Sequence, residues 1–346
     1  MNGEYMETKE LVKQLSQAVG VSGAENNAAQ LAVNTLAPLG AAYIDTLGSV
    51  ICNIQPQNES KRHYMLDAHI DEIGMIVTGI TEDGFLRLGS VGGLDRRLLL
   101  ASELTVHGKK PLLGIVCSTP PHLQGEGEKK NPKLDEIFID IGMGHDAAAE
   151  AVSLGDRITF KSCFCEMPDG CVTGKALDDR AGCAAVIKAA EMLKKKGLSC
   201  GLTVTLTVQE ETGAAGAKTA AFAVSPTHCF TVDVSFAHTP DAKPEKCGEL
   251  GKGPMIGIAP ILSQALSQRL IETAKTKKIP FQLEVMGGST GTNADAIAAS
   301  GAGVITALVS VPQRYMHTPT EKVCIKDIDD TARLIAETII ELEASV

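Results

Sequence analysis

The sequence predicts an α/β fold, a sheet covered by helices on both faces, split in sequence by an inserted β module. Three observations carry this expectation. Helical and apolar β-like stretches alternate before residue 74 and again after residue 165, the pattern of a sheet buried on both sides. Between those limits the chain has short β-like runs broken by glycine turns and no long helix, which reads as a compact barrel or sandwich. Several apolar runs outside the insert stop abruptly in acids or histidine, and α/β sheets gather ligand sites at the carboxyl ends of their strands.

Helical periodicity marks 9–19 and 26–39, separated by GVSG, where the glycines break the apolar repeat. Short strands are expected at 42–45, 50–54 and 63–67. The insert follows with GMIVTGI, FLRLGSV, ELTVHG, LLGIVCS, EIFIDIG and RITFKS, one short helix at 146–153, and PPHLQGEGEKKNPK as a mobile surface loop. Beyond 169, helices at 181–196, 214–223, 261–277, 294–299 and 328–342 alternate with strands at 202–208, 229–234, 281–285 and 303–309.

With 346 residues, 44% hydrophobic and 21% charged, the chain has material for one large domain or two ordinary ones. A net charge of −10 argues against nucleic acid or an anionic membrane as partner. Aromatic residues total 3% and tryptophan is absent, which leaves few stacking faces for a polysaccharide groove. No apolar run reaches the ~18 residues of a membrane span, and the acidic, amphipathic N-terminus lacks a signal-peptide core. The ten cysteines are dispersed, so buried reduced thiols and a cytoplasmic setting are expected.

The chemically informative residues are acids and histidines at strand ends. YMLDAHIDEIG delivers His69 and Asp71, VTGKALDDRAG delivers Asp178 and Asp179, TVQEETG delivers Glu210 and Glu211, HCFTVDVSFAH delivers Asp233, and VPQRYMHTPTE delivers His317. Singly, each has a plain structural explanation. Asp178 and Asp179 suit a helix N-cap and first turn, and Glu210 and Glu211 suit a helix dipole. Brought together, two histidines and four or five carboxylates would be electrostatically costly. One or two divalent cations remove that cost, and mixed imidazole and carboxylate donors suit Zn²⁺, Mn²⁺ or Co²⁺. In the His-x-Asp spacing, Asp71 can hold one imidazole nitrogen while the other faces a metal.

His-x-Asp, Gly-Lys-Ala-Leu-Asp-Asp-Arg-x-Gly, Gln-Glu-Glu-x-Gly, a strand-end Asp and Arg-Tyr-Met-His-Thr-Pro, in that order, resemble the TET-type metallo-aminopeptidases. These are the tetrahedral, dodecameric glutamyl, leucyl and lysyl aminopeptidases. The resemblance covers nearly the whole chain, GIVCSTPPHL in the insert included. It implies a three-layer αβα zinc-peptidase-like catalytic domain over 1–73 plus 166–346. It also implies an inserted small β-barrel, PDZ-like, over 74–165 that holds subunits together. Two divalent metal ions per subunit (Zn, Co or Mn) are implied, one on His69 and Asp233, the other on Glu211 and His317, with Asp178 bridging. Glu210 would be the general base and acid, and Asp71 would orient His69. Adjacent residues near a strand end point apart, so Glu210 is expected to reach the attacking water while Glu211 binds metal. A cis peptide between Asp178 and Asp179, peptide substrates, and a homo-oligomer, a dodecamer built from dimers, complete the implied picture.

One motif departs from the family. Its usual Gly-Thr-Asp-Ala-Asn appears as GTNADAI, with Asn293 and Asp295 exchanged. Asp295 is still expected, with Glu210, among the acids nearest the substrate amine. The alternatives are another hydrolase on the same metal scaffold, a deacylase or glycanase, and a non-catalytic assembly protein. The scarcity of aromatics weighs against the glycanase. The complete ligand set with Glu210 weighs against the non-catalytic reading. Neither the preferred N-terminal residue nor the native metal is legible.

Overall fold

Strand β3 (His63–His69) is buried along its whole length, because layers of helix lie against both faces of its sheet. Its side chains alternate with the period of two that a strand imposes. Tyr64, Leu66 and Ala68 join the main core with α1 (Thr8–Gln17), α2 (Asn26–Leu36), α4 (Leu177–Lys196) and α8 (Ile325–Ala344). Met65 packs on the other face with α5 (Ala215–Val224) and α7 (Asn293–Ala298). The result is a three-layer arrangement, described in this computed structural model for residues 5–55, 62–118, 132–197 and 200–344.

The sheet runs β1 (Ala41–Ile44), β2 (Val50–Gln55), β12 (Gly201–Thr207), β3, β13 (His228–Phe236), β16 (Ile305–Arg314), β17 (Glu321–Cys324), β11 (Cys171–Gly174) and β10 (Cys165–Met167). Its centre, β12-β3-β13-β16, is parallel, and the flanks are antiparallel. Off this path, β14 (Met255–Ile258) pairs with β16 and with β15 (Gln282–Val285), and α6 (Gln264–Lys277) packs beside them. The expected helices and central strands are all present within a few residues. Strands β10, β11, β14 and β17 were not expected. Each is three or four residues long, too short to carry a period of its own.

The insert is a closed barrel of β4 (Gly74–Ile80), β5 (Leu86–Val91), β6 (Glu103–His107), β7 (Pro111–Val116), β8 (Phe138–Asp140) and β9 (Arg157–Phe160), in the order β4-β5-β8-β7-β6-β9. Closure leaves no free sheet edge. The barrel has its own core, with Met75, Leu86, Leu104, Val106 and Ile158 fully buried. The short helix α3 (His145–Ala151) lies where one was expected. Of the polar stretch 120–133, residues 120–131 lie outside the described residues. All ten cysteines are unpaired. Among the described residues no helix is long and apolar enough to cross a membrane.

Candidate metal centre and active site

The carboxyl ends of the parallel strands meet at one cleft of about 530 Å³. At the end of β3, His69 is buried, with Nε2 3.0 Å from Asp178 Oδ1 and 3.9 Å from Asp233 Oδ1. Its Nδ1 meets the Asp71 carbonyl at 3.2 Å and the Asp71 carboxylate at 3.5 Å. His317 Nε2 lies 3.2 Å from both Asp178 Oδ2 and Glu211 Oε1, and its Nδ1 lies 3.0 Å from the Gly93 carbonyl on the barrel. Donor atoms of His69, Asp178 and Asp233 all lie within 4.8 Å of one another, as do those of Asp178, Glu211 and His317, and those of His69, Glu210 and Glu211. Seven of the eight acids and histidines singled out in the sequence, all but Asp179, therefore converge.

Local backbone puts them there. Ala176 turns the chain with φ 54, and the Asp178–Asp179 peptide is cis, as expected. Asp179 does not enter the cleft. It caps its own helix, Oδ1 accepting from the Gly182 N–H at 2.9 Å, and a Cβ at position 182 would run into that carboxylate. Glu210 and Glu211 do not diverge on a strand. Strand β12 stops at Thr207, Gln209 reverses the backbone with φ 59, and both glutamates sit in the turn that follows. Asp71 holds that turn. Its Oδ1 accepts from Glu210 N at 3.0 Å, and its Oδ2 accepts from Glu211 N at 3.2 Å and from the Ser22 hydroxyl.

One residue was missed. Glu321, on β17 and only 2% exposed, accepts from Asp178 N at 3.1 Å and from His317 N at 2.9 Å. Its only signal in the sequence is its place just after His317. Another expectation is corrected. Asp295 is not among the residues lining the cleft, because the donors of its own turn, Thr290 N, Thr290 Oγ1 and Gly291 N, occupy its carboxylate. Its exchanged partner Asn293 donates to Asp67 at 3.0 Å and Thr207 at 2.7 Å, tying α7 to β3 and β12.

Burial, reinforced by neighbouring carboxylates, pushes Asp179, Asp233 and Glu211 above the ordinary carboxyl range and Glu210 up to about 7. Against their burial, Asp178 and its neighbouring acids hold both imidazoles above their usual range, His317 at about 11. Asp178 itself, although buried, is held low by His317 and His69. Closely packed acids with two imidazoles, in two donor groups sharing Asp178, have the donor chemistry of divalent cations. The residues present fit the metals that the sequence resemblance implies.

A three-layer αβα fold that gathers carboxylates and imidazoles at its parallel strand ends places the chain among α/β proteins with a candidate metal site at the sheet's carboxyl edge. Residues 48–334 match the model of the M42 glutamyl aminopeptidases, and the chain belongs to that family. It is an aminopeptidase, a peptide hydrolase. It is 34% identical to the lysyl aminopeptidase of Pyrococcus furiosus, over 96% of this chain and 97% of the relative. The TET aminopeptidase of a marine-sediment Thaumarchaeota archaeon superposes with TM-score 0.91 at 31% identity, covering 98% of this chain and 97% of that one. The TET1 peptidase of Pyrococcus horikoshii, described as assembling into a tetrahedron or a large octahedral shell, gives 0.84 at 32% identity, over 96% and 98%.

Proposed function

We propose that the chain removes N-terminal residues from peptides with the help of two divalent cations, Zn, Co or Mn. His69 and Asp233 would hold one, Glu211 and His317 the other, and Asp178 both. The observation that carries this reading is the division of Asp178, one carboxylate oxygen 3.0 Å from His69 and the other 3.2 Å from His317. Bound there, the cations would supply Lewis-acid polarisation of the scissile carbonyl and acidify the attacking water.

The chain's own residues do the rest. Glu210 takes a proton from the attacking water and returns it to the leaving amine. Its burial and carboxylate neighbours, which lift it to about 7, suit a group that both accepts and gives a proton near neutrality. Asp71 positions that base through the Glu210 N–H and turns the ring of His69 through Nδ1. Glu321 fixes the backbones of Asp178 and His317 with one carboxylate. The acidic cleft favours a substrate's free ammonium group, which limits cleavage to the first peptide bond.

The barrel, residues 74–165, is proposed to join subunits into a homo-oligomer, a dodecamer built from dimers, around the catalytic part, 1–73 plus 166–346. Two outward apolar residues of β7, Leu113 at 52% and Ile115 at 39% exposure, support this, as does the shell formed by the Pyrococcus horikoshii relative. Ten unpaired thiols support a cytoplasmic setting. Elemental analysis after reconstitution with each ion is expected to give two per chain, and less in Asp178→Asn, because a neutral amide is a poor bridge. Fewer than one ion per chain in the unaltered protein, or undiminished metal in the variant, would overturn the dinuclear reading.

A further inference from the structure

The family's names join a glutamyl and a lysyl preference, so membership alone leaves open which N-terminal side chain this enzyme takes. The cleft supplies an acid that belongs to none of the three donor groups: Glu284 on β15. Its Oε2 accepts from Ser310 Oγ at 2.8 Å and its Oε1 from Ser235 Oγ. Ser310 is the sheet neighbour of Asp233, and Ser235 lies two positions beyond Asp233 on the same face of β13. Two positions along a strand span about 6.6 Å. The Glu284 carboxylate is thus anchored about one long side chain away from the donor set. Its own sheet neighbour on β14 is Gly257, which has no side chain to stand between.

Two serine hydroxyls leave this carboxylate unfilled, since an ionised carboxylate has about four acceptor positions. Among the described residues no Lys or Arg lines the cleft, and Glu284 forms no ion pair. Cations on the donor groups would neutralise Asp178, Asp233 and Glu211 but not Glu284. Leu308 and Met286 line the same cavity and offer apolar wall. A carboxylate set at the end of an apolar wall is complementary to an aliphatic stem with a cationic head.

Building on the aminopeptidase reading, we infer that Glu284 receives the side chain of the substrate's N-terminal residue and selects a cationic one, Lys or Arg. A glutamyl side chain would bring like charge to the same point. A neutral chain of the same length would fill the wall and gain nothing from the carboxylate.

The test compares lysyl-, arginyl-, norleucyl- and glutamyl-p-nitroanilide on the metal-loaded protein, because norleucine has the lysine stem without its ammonium. For the unaltered enzyme kcat/KM is expected to favour the lysyl over the norleucyl substrate by about 10–100-fold, the scale of a hydrogen bond to a charged group. Glu284→Gln, which leaves an oxygen for the serines, should collapse that ratio, and Glu284→Lys should shift the preference toward the glutamyl substrate. Circular dichroism and particle mass establish that both variants fold. A lysyl-to-norleucyl ratio near one in the unaltered enzyme, or the same ratio in Glu284→Gln, would overturn the inference and leave the aminopeptidase reading intact. Failure to cleave any of the four would defeat that reading instead, and calorimetry would then decide the inference alone. Free L-lysine should bind the unaltered protein more tightly than L-norleucine, and the difference should vanish in Glu284→Gln. Equal binding of the two amino acids to the unaltered protein overturns it.

Discussion

Stripping divalent cations from the cleft should make stability fall as pH rises, and restoring them should remove most of that slope. Glu210 is raised from 4.5 to about 7, and His317 from 6.5 to about 11. In both cases the folded protein holds its proton where the unfolded chain has already released one. The unfolded state then binds fewer protons, so unfolding free energy decreases with pH. For Glu210 the loss runs from its ordinary value to about 7, and for His317 it continues from 6.5 toward about 11. A group inside its window contributes up to about 1.4 kcal/mol per pH unit. Between pH 5 and 9 roughly one of the two is always in its window, and the raised Asp179, Asp233 and Glu321 act in the same direction. The depressed Asp71 and Asp178 titrate below this range. His63, His107 and His228 are lowered by burial and work the other way below about pH 6.5, but equally in loaded and stripped protein. The difference between the two samples therefore isolates the cleft. Scanning calorimetry at fixed protein concentration, with chelator or with excess metal, should show the two melting temperatures separating as pH is raised from 5.5 to 8.5. A gap that stays constant, or stripped protein that gains stability relative to loaded, would refute the assignment of these acids and imidazoles to one cation-compensated cluster.

The other expectations are more local. Glu210→Gln should keep its metal and lose about 10²–10⁴-fold in kcat, and a near-normal kcat would remove Glu210 from the base role. Gly93→Ala places a Cβ 2.6 Å from His317 Nδ1, so His317 must move; elemental analysis should show lowered metal occupancy in a folded protein, and full occupancy with full activity would contradict the geometry. Replacing the outward Leu113 and Ile115 together by glutamate should lower the particle mass in light scattering, whereas an unchanged mass would locate assembly elsewhere.

The sequence displayed the parts of this site that strands carry. His69 and Asp71 end a strand whose burial is uniform, and Asp178, Glu210 and Glu211 stand where an apolar run gives way to a glycine-rich turn. What it hid were relations made only by tertiary pairing. Strands β11 and β17 are antiparallel partners far apart in sequence, and their pairing brings Glu321 under both Asp178 and His317. No local pattern marks a glutamate whose two partners are backbone N–H groups of other elements. Glu284 was hidden for the same reason, since its serines lie on strands β13 and β16. Glu210 and Glu211 do meet at the cleft, but not by the geometry expected from the sequence. A strand's pleat is not what sets their directions: the positive φ at Gln209 and the two N–H bonds to Asp71 do. Asp295 stays out of the cleft because the donors of its own turn hold its carboxylate, a local contact that the exchanged motif does not display.

The position of the insert ties the barrel to one half of the cleft more than to the other. The barrel leaves the sheet just after Asp71 and returns before Asp178. After β5 the chain comes back through Gly92 and Gly93. The Gly93 carbonyl faces His317 Nδ1 at 3.0 Å, and a Cβ at position 92 would stand 3.2 Å from Glu211. His69, in the other donor group, is held through Nδ1 by Asp71 in the same way. With cations bound, a carbonyl on Nδ1 of each histidine would keep the proton there and leave the Nε2 lone pair free for the metal. One ring, however, is oriented by the residue that follows its own strand and the other by the barrel. A shift of the barrel against the sheet would therefore act directly on Glu211 and His317, and on His69 only by way of Asp71. If subunits are joined through the barrel, contacts made there reach the chemistry through a single hydrogen bond to an imidazole.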